Sequence, residues 1–342
     1  MYLGIEIGGT KLQLGVGAGD GSRLVELLSF QVDPAAGAQG IRQVIEQTAP
    51  GLIQRHGVQR IGVGFGGPVD ATGQRTIKSH QIEGWDDYPL AEWCRRRLGL
   101  PTIVGNDADV AGLAEALFGA GRRQKVVFYI TVGSGVGGAL IIDGQIHRGG
   151  SGVAGEIGHL RPGLHAERPE QTVESIASGW AIAAAAQARL AEPELRTLDP
   201  RKFRRATSAE ALRQRLIESE QTEAVCAADL LERCQGRPEL LTCKMLAEAA
   251  AEGNRMAEEI FRRATQTLGW AIAQMIALVG PQVVVIGGGV PQSGEQVFFA
   301  PLRAEVNRYV FPPLVGTFQI VPAALGQEVV VHGALALART SP

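Results

Sequence analysis

Twice in this chain an apolar strand runs into a glycine-rich turn and straight back out as a second apolar strand. IEIGGTKLQLGVG begins at Ile5, and YITVGSGVGGALII begins at Tyr129. Each unit reads as a hairpin whose glycine turn leaves backbone N–H groups free to point at an anion, and two such units in one chain read as a domain-scale repeat. Lobes built on the two units and facing each other bring both turns into one cleft, where ligands collect between domains. Length agrees, because 342 residues exceed the roughly 250–300 that one hydrophobic core organises.

Around these units the periodicities alternate. Strands are predicted near 2–8, 12–17 and 24–32, a helix near 38–56, a strand at 60–65, a helix at 89–98, a strand at 102–105 and a helix from Ala108 to Ala120. That order argues an α/β class. In the second unit VVFYITVG is a strand, and ALIIDGQIHR is a hairpin folded at Asp143-Gly144, a pair suited to a type I′ turn. Helical patterns then cover 175–192, 208–234 and 243–279, followed by the buried strand QVVVIG, a helix near 294–309, the strand FQIVPA and a last helix near 326–338. The longest apolar stretch, Trp270 to Val279, stops at Gly280-Pro281, far short of the ~20 residues a membrane span needs, and predicts a buried core helix. The segment 193–242, with Arg201, Lys202, Arg204 and Arg205, is the least patterned and reads as a solvated helical excursion, an insertion or a lid.

Charge narrows the partners. Thirty-three basic residues balance 35 acidic ones for a net charge of −2, without the basic footprint that nucleic acid or an anionic membrane requires. A small ligand is expected instead. Cys94, Cys226, Cys234 and Cys243 form no CxxC pair, so they predict neither a disulfide framework nor a cysteine zinc site but reduced, helix-borne packing residues. Met1 leads directly into YLGIEIG with no basic, apolar or cleavable leader, which predicts a cytoplasmic location. Many of the 45 glycines cluster after β-branched runs and mark places where backbone turns sharply or approaches a ligand.

Gly133-x-Gly135-x-x-Gly138 has the spacing of a dinucleotide fingerprint, but it is followed by ALIID rather than by a helix, so that chemistry is excluded. Gly8-Gly9-Thr10-Lys11 lacks the spacing and following helix of a P-loop. A hairpin phosphate clamp remains, with Thr10, Thr131 and Ser134 adding hydroxyls, and Gly287-Gly288-Gly289 after a buried strand is a third such turn. Gly105-Asn106-Asp107 falls where a parallel strand ends and a helix begins. Asp107 there reads either as a general base or as a helix N-cap, and Asp109 has the same two readings with a weaker catalytic case. Glu156-x-x-His159 puts a carboxylate and an imidazole on one face of a helical turn, a pair suited to reading sugar hydroxyls, although His159 alone reads equally as an ordinary histidine or half of a metal pair.

Taken together these residues resemble the ROK family of sugar kinases and sugar-responsive regulators. The resemblance rests on GIEIGGTK at 4–11, GVGFGGPVD at 62–70, the GW at 84–85, GNDADVAGLAEALFGAG at 105–121, TVGSGVGGALIIDGQIHRG at 131–149, GVAGEIGHL at 152–160, VESIASG at 173–179 and VVVIGGGV at 283–290. It implies an actin-like (ribonuclease H-like) two-lobed fold. The small lobe is then 1–112 plus the returning segment 326–342, and the larger lobe is 113–325 with 187–245 as an insertion. It implies Asp107 as the base that takes the proton from the acceptor hydroxyl at C6. Asn106, Glu156, His159 and Glu174, with Gly67 offering backbone, are implied as sugar ligands beside Asp107. Gly8, Gly9, Thr10 and Lys11, with Thr131, Gly133, Ser134 and Gly135, are implied as the two phosphate loops, and Gly287, Gly288 and Gly289 as part of the adenosine side. ATP and Mg²⁺ are the implied cofactors, a hexose the partner and a homodimer the assembly.

Three departures qualify the resemblance. Glu6 stands where the family usually has Asp, as in some of its fructokinases, and Gln81 stands where an Asn commonly precedes the GW. The cysteine-rich zinc motif between His159 and Glu174 is missing: its cysteine places fall near His165, Glu167 and Thr172. No structural zinc is expected, Pro162, Pro169 and the helix bearing Trp180 being expected to stiffen the loop; a residual site of His159, His165 and Glu167 is the minority reading. The expected activity is transfer of the γ-phosphate of ATP to the 6-hydroxyl of glucose. Fructose, mannose or an N-acetylhexosamine are alternative acceptors, and a weakly catalytic sugar sensor is an alternative class. The helix-turn-helix of the family's regulators is not expected, because three residues precede Gly4.

Overall fold

The computed structural model describes residues 1–79, 81–163, 168–192 and 223–340. β1 (Tyr2–Ile7) and β2 (Lys11–Gly17) form the first hairpin, paired antiparallel from Tyr2↔Gly17 to Ile7↔Leu12. β3 (Glu26–Gln31) extends it antiparallel beyond β2, while β4 (Arg60–Phe65) and β5 (Thr102–Asn106) join parallel on the β1 side, giving the order β3-β2-β1-β4-β5. α1 (Gly37–His56) and α2 (Leu90–Leu98) make the crossovers. Ala38, Ile41, Ile45, Ala49 and Leu52 recur along α1 at three- and four-residue steps and bury one stripe on the sheet. α3 (Asp107–Leu117) follows β5 without a break.

The second lobe repeats this plan. β6 (Val126–Val132), β7 (Val136–Ile142) and β8 (Gln145–Ile146) are an antiparallel meander, and β9 (Val283–Gly287) and β10 (Gln319–Pro322) join parallel on the β6 side. The order β8-β7-β6-β9-β10 matches the first sheet strand for strand. Every residue of β9 is buried, as expected of a parallel strand covered on both faces. α4 (Glu174–Ala177), α5 (Gly179–Leu190), α6 (Glu223–Arg233), α7 (Cys243–Ala251), α8 (Arg255–Val279) and α9 (Ala300–Tyr309) build the rest of this lobe, and α10 (Val329–Thr340) returns to the first sheet.

α3 and α10 fill the space between the sheets. α10 lies on β1 and β4, α3 lies on β6 and β7, and the two helices pack on each other. Val110, Leu113, Tyr129, Ala139, Ala334 and Leu337 from both lobes share one buried cluster. The fit requires glycine. Gly15, Gly4 and Gly62 are cross-strand partners at one level of the sheet, and α10 rests its backbone on that row. A Cβ on Gly62 would fall 1.9 Å from the Ala334 carbonyl oxygen, and one on Gly4 2.7 Å from that of Val331. These strand glycines therefore serve helix docking rather than a turn or a ligand, a task beside the turns read above for the glycine clusters.

Other expectations differ in detail. The hairpin at Asp143-Gly144 forms with both residues at positive φ, 49° and 73°. The pattern over 175–192 breaks at Ser178, whose hydroxyl caps α5 by accepting from the Ala181 N–H. The pattern over 243–279 breaks at Gly253-Asn254, where the Asn254 side chain caps α8. A π-helical turn, Glu295–Phe299, precedes α9. The boundary expected at 112/113 falls inside the continuous helix α3. Within the span 187–245, expected as an insertion, Leu190, Cys226, Leu230 and Leu241 belong to the second lobe's core. Residues 193–222, with the basic cluster Arg201 to Arg205, lie outside the described residues. All four cysteines are free; Cys94, Cys226 and Cys234 are buried, whereas Cys243 is partly exposed. No described helix is long and apolar enough to cross a membrane.

The glycine row makes a direct prediction. Gly62→Ala forces a methyl group into the Ala334 carbonyl and is expected to cost about 1–3 kcal/mol, seen as a Tm several degrees lower, through overpacking. An unchanged Tm would mean that α10 does not depend on this contact.

Candidate active site

The two glycine turns face one cleft of about 1130 Å³. In the first, the Gly8 N–H donates to the Lys11 carbonyl at 2.9 Å; in the second, the Gly133 N–H donates to the Gly135 carbonyl at 2.9 Å. Gly8, Gly9, Thr10, Gly133 and Ser134 all line the cleft, and the Thr10 and Ser134 side chains are exposed to it. Its far walls are the faces of α5 and α7, together with Gly289 to Ser293. A second cavity of about 530 Å³ is lined by Glu6, Lys11, Thr131 and the turn Gly287-Gly288-Gly289. Asp107 lines both.

The neighbours of Asp107 separate its two readings. Asn106 is the N-cap of α3: its Oδ1 accepts from the N–H groups of Ala108 at 2.9 Å and Asp109 at 3.2 Å, and its Nδ2 donates to the Gly67 carbonyl at 3.0 Å. Asp107 is the first helical residue, so its carboxylate is not needed as the cap. Burial pushes its pKa up to about 6, the nearby Glu156 charge adding to this and a hydrogen bond from the Ala108 N–H opposing it. Asp109 is also buried. Burial pushes it up to about 7, against the attraction of Arg148, with Glu156 and Asp107 raising it further. Glu6 is raised by burial, although the Lys11 ammonium sits 3.1 Å from its Oε2. Lys11 also donates to the Gln327 carbonyl at 3.1 Å, which ties β2 to the turn before α10.

The remaining expected residues fall outside both cavities. Glu174 opens α4, and its Oε2 accepts from the Val136 N–H at 2.8 Å, which props the second glycine turn from beneath. Glu156 stands at the N-cap position of the short turn Ile157–His159, without a side-chain capping bond, and is half-buried; His159 ends that turn and is exposed. His165 and Glu167 lie outside the described residues.

The loop that delivers Glu174 is held by hydrogen bonds. The Arg161 guanidinium donates to the His159 carbonyl at 2.7 Å and twice to the Pro169 carbonyl, at 2.7 and 3.1 Å. Thr172 and Ser175 then cap each other: the Thr172 N–H donates to Ser175 Oγ at 2.9 Å and the Ser175 N–H to Thr172 Oγ1 at 3.2 Å. The helix expected to stiffen the loop packs through Ile182, Ala186 and Leu190, while the Trp180 it bears is 67% exposed on the cleft wall. Among the described residues no three His, Cys, Asp or Glu side chains are grouped to hold a metal.

Sequence reasoning named Gln81 only as a departure and Trp180 only by its helix, and it missed Glu115. Gln81 lies on the first turn, where a Cβ on Gly9 would fall 1.5 Å from its Oε1, and its Nε2 reaches 3.5 Å from Ser134 Oγ on the opposite lobe. Glu115 is fully buried, and its carboxylate accepts from the N–H groups of Ala120, Ala324 and Leu325 at 2.8–2.9 Å, which joins α3 to the approach of α10. A charged residue within the apolar run LAEALFGA was the available signal for it. Trp180 gave none, because its one-sided exposure depends on the separation of α5 from α7.

Comparison with known proteins places these features in context. A model of the ROK family matches residues 2–341. A glucokinase of Streptomyces coelicolor is 30% identical over 348 residues, covering 99% of this chain and 98% of that protein. An N-acetylmannosamine kinase of Escherichia coli is 33% identical over 233 residues, covering 67% of this chain and 77% of that protein. The crystal structure of a ROK family glucokinase from Streptomyces griseus, in complex with glucose and AMPPNP, aligns over 99% of both chains with a TM-score of 0.76 and 31% identity.

Two predictions follow from the geometry. Protein purified without a histidine tag is expected to hold no stoichiometric zinc, and Arg161→Ala to speed limited proteolysis between 161 and 173 severalfold by freeing the loop. One zinc per chain surviving dialysis against chelator would overturn this. For Asp107, the folded pKa of about 6 exceeds the ordinary 3.8, so its protonated form stabilises the fold below about pH 4 and that contribution is lost as pH rises through 6. Asp107→Asn is therefore expected to raise Tm at pH 8 and to lose that advantage towards pH 4. A Tm difference that stays level from pH 4 to 8 would contradict the raised pKa.

Proposed function

The chain belongs to the ROK family, and on that premise we propose that it is a hexose kinase that moves the terminal phosphoryl group of ATP to the 6-hydroxyl of glucose. The observation that carries this reading is Asp107, half-buried at the start of α3 on the wall that both cavities share with glycine turns from opposite lobes. The glucokinase relative, matched over nearly its whole length, supports glucose as acceptor.

ATP bound in the cleft supplies the transferable phosphoryl group. The turns at Gly8 to Thr10 and Gly133 to Gly135 offer backbone N–H groups and the Thr10 and Ser134 hydroxyls to phosphate oxygens, with the approach of α10 fixed by Lys11. Glu6 and Asp107, acidic groups on the wall of the second cavity, fit a hydrated Mg²⁺ beside those phosphates. Asp107, largely ionised above its pKa of about 6, takes the proton of the acceptor hydroxyl as that oxygen bonds to phosphorus and ADP departs. Asn106 and the Gly67 carbonyl it holds, with Glu156, His159 and Glu174, are assigned to the acceptor, and Gly287 to Gly289 to the adenosine side. Positioning and electrostatics carry most of the work in such a transfer.

A second acceptor has a specific observation in its favour. The 33% identity to an N-acetylmannosamine kinase keeps N-acetylhexosamines in view. A coupled ADP-release assay with Mg-ATP over glucose, mannose, fructose and the N-acetylhexosamines decides between them, with glucose expected to give the highest kcat/KM and a 6-phosphate product. Asp107→Asn in the same assay is expected to lower kcat by about 10²–10⁴ while sugar binding changes far less. No sugar-stimulated ADP release across the panel would favour a sugar-sensing role without turnover.

A further inference from the structure

The cleft wall carries a feature that phosphoryl transfer alone does not use. Trp180 is 67% exposed, more than any other aromatic side chain among the described residues, and it is the one aromatic residue lining the 1130 Å³ cleft. Its neighbours on α5 are small, Ala183 and Ala184, and the facing wall of α7 presents Ala247 and Ala251. Two alanine faces with one indole at the entrance form a slot for a flat group. An indole left in water at a ligand cleft, rather than packed inside, is placed to be covered by a ligand.

The direction of the slot identifies which ligand. The residues assigned to the acceptor, Asn106, Glu156 and His159, do not line this cavity, whereas both glycine turns do. α5 is fastened to the second turn, since the Gly179 N–H donates to the Gly133 carbonyl at 2.8 Å, so Trp180 follows directly on a residue bonded to that turn. Of the polar side chains in the slot, Gln187 Nε2 donates to the Leu241 carbonyl at 3.1 Å and Ser293 Oγ to the Val290 carbonyl at 2.7 Å, while Lys244, Glu248 and Gln292 also line it. These side chains offer contacts to the edges of a flat group, and the indole offers contact to its face.

We propose that Trp180 is the stacking platform for the nucleoside of the phosphoryl donor. The inference rests on the kinase reading above and adds the residue that holds the non-reacting end of ATP. Stacking of an aromatic side chain on a base corresponds to roughly 5- to 100-fold in affinity. Since Trp180 touches neither the acceptor nor the transferring group, its loss acts on donor binding alone.

The test compares wild type, Trp180→Ala and Trp180→Phe, with Tm measured to establish that each is folded. Trp180→Ala is expected to raise KM for Mg-ATP by about 5- to 100-fold while kcat and the hexose KM stay within about twofold. Trp180→Phe, which keeps a ring, recovers most of the loss. Titrating wild type with Mg-ATP, without sugar, changes the tryptophan emission, and the Trp180→Phe protein loses that response. An unchanged KM for ATP in Trp180→Ala, or a rise confined to the hexose KM, overturns the proposal. Wild type without ATP-dependent turnover would instead overturn the kinase reading, and the emission titration then decides nucleotide stacking by itself.

Discussion

The docking of α10 on the glycine row of the first sheet is the contact on which the rest of the molecule depends. Helix backbone meets strand backbone at Gly4 and Gly62, closer than any side chain permits, and at Gly333 the same helix meets α3, where a Cβ would fall 1.9 Å from the Val110 carbonyl. Because α3 also lies on β6 and β7, the last twelve-residue helix of the fold is what sets the distance between two sheets of identical topology. The hairpin turns project from those sheets. Their separation, and hence the width of the cleft, follows from a packing that tolerates almost no change in volume.

Helix α3 is a seam between the lobes at one end and carries the proposed base at the other. Its far end carries Glu115, whose carboxylate collects three backbone N–H groups and so is satisfied within the protein. Its near end carries Asp107, half-buried near Glu156 with the cap hydrogen bonds taken over by Asn106. The first carboxylate holds loops together; the second is left with a raised proton affinity at the mouth of two cavities. The two acids of one helix differ in the N–H groups that reach them: those of Ala120, Ala324 and Leu325 at Glu115, that of Ala108 at Asp107.

The legible part of the sequence was the part written in backbone. Glycine turns between apolar strands announced the repeat, and GND after a strand announced the start of α3, because each such feature needs particular residues at fixed spacing. The helical second half carried no comparable signal. Ser178 and Asn254 interrupt continuous apolar periodicity without altering it, so the breaks before α5 and α8 were invisible, and the groove between α5 and α7 with them. The task of the glycines in β1 and β4 was not legible because a sequence does not state which chain segment approaches a strand; α10 is more than 250 residues away from them.

The supports of the site overlap with its assigned ligands. Glu174 is assigned to the acceptor, yet its carboxylate props the second glycine turn through Val136, and Asn106 caps α3 while holding Gly67. Whatever orders the loop ahead of Glu174 therefore acts on the phosphate side as well as on the sugar side. In this chain that ordering comes from Arg161 clamped on His159 and Pro169, and from Thr172 and Ser175 capping each other one turn before the helix. A planar guanidinium reaching two carbonyls and a reciprocal cap restrain the ends of a short loop by charge-assisted and neutral hydrogen bonds, with no demand on the redox state of a thiol or the supply of an ion. With no cysteine in 161–173, the placing of Glu174 rests on groups that water competes with, and the precision of the second glycine turn becomes a matter of how well one exposed arginine keeps its partners.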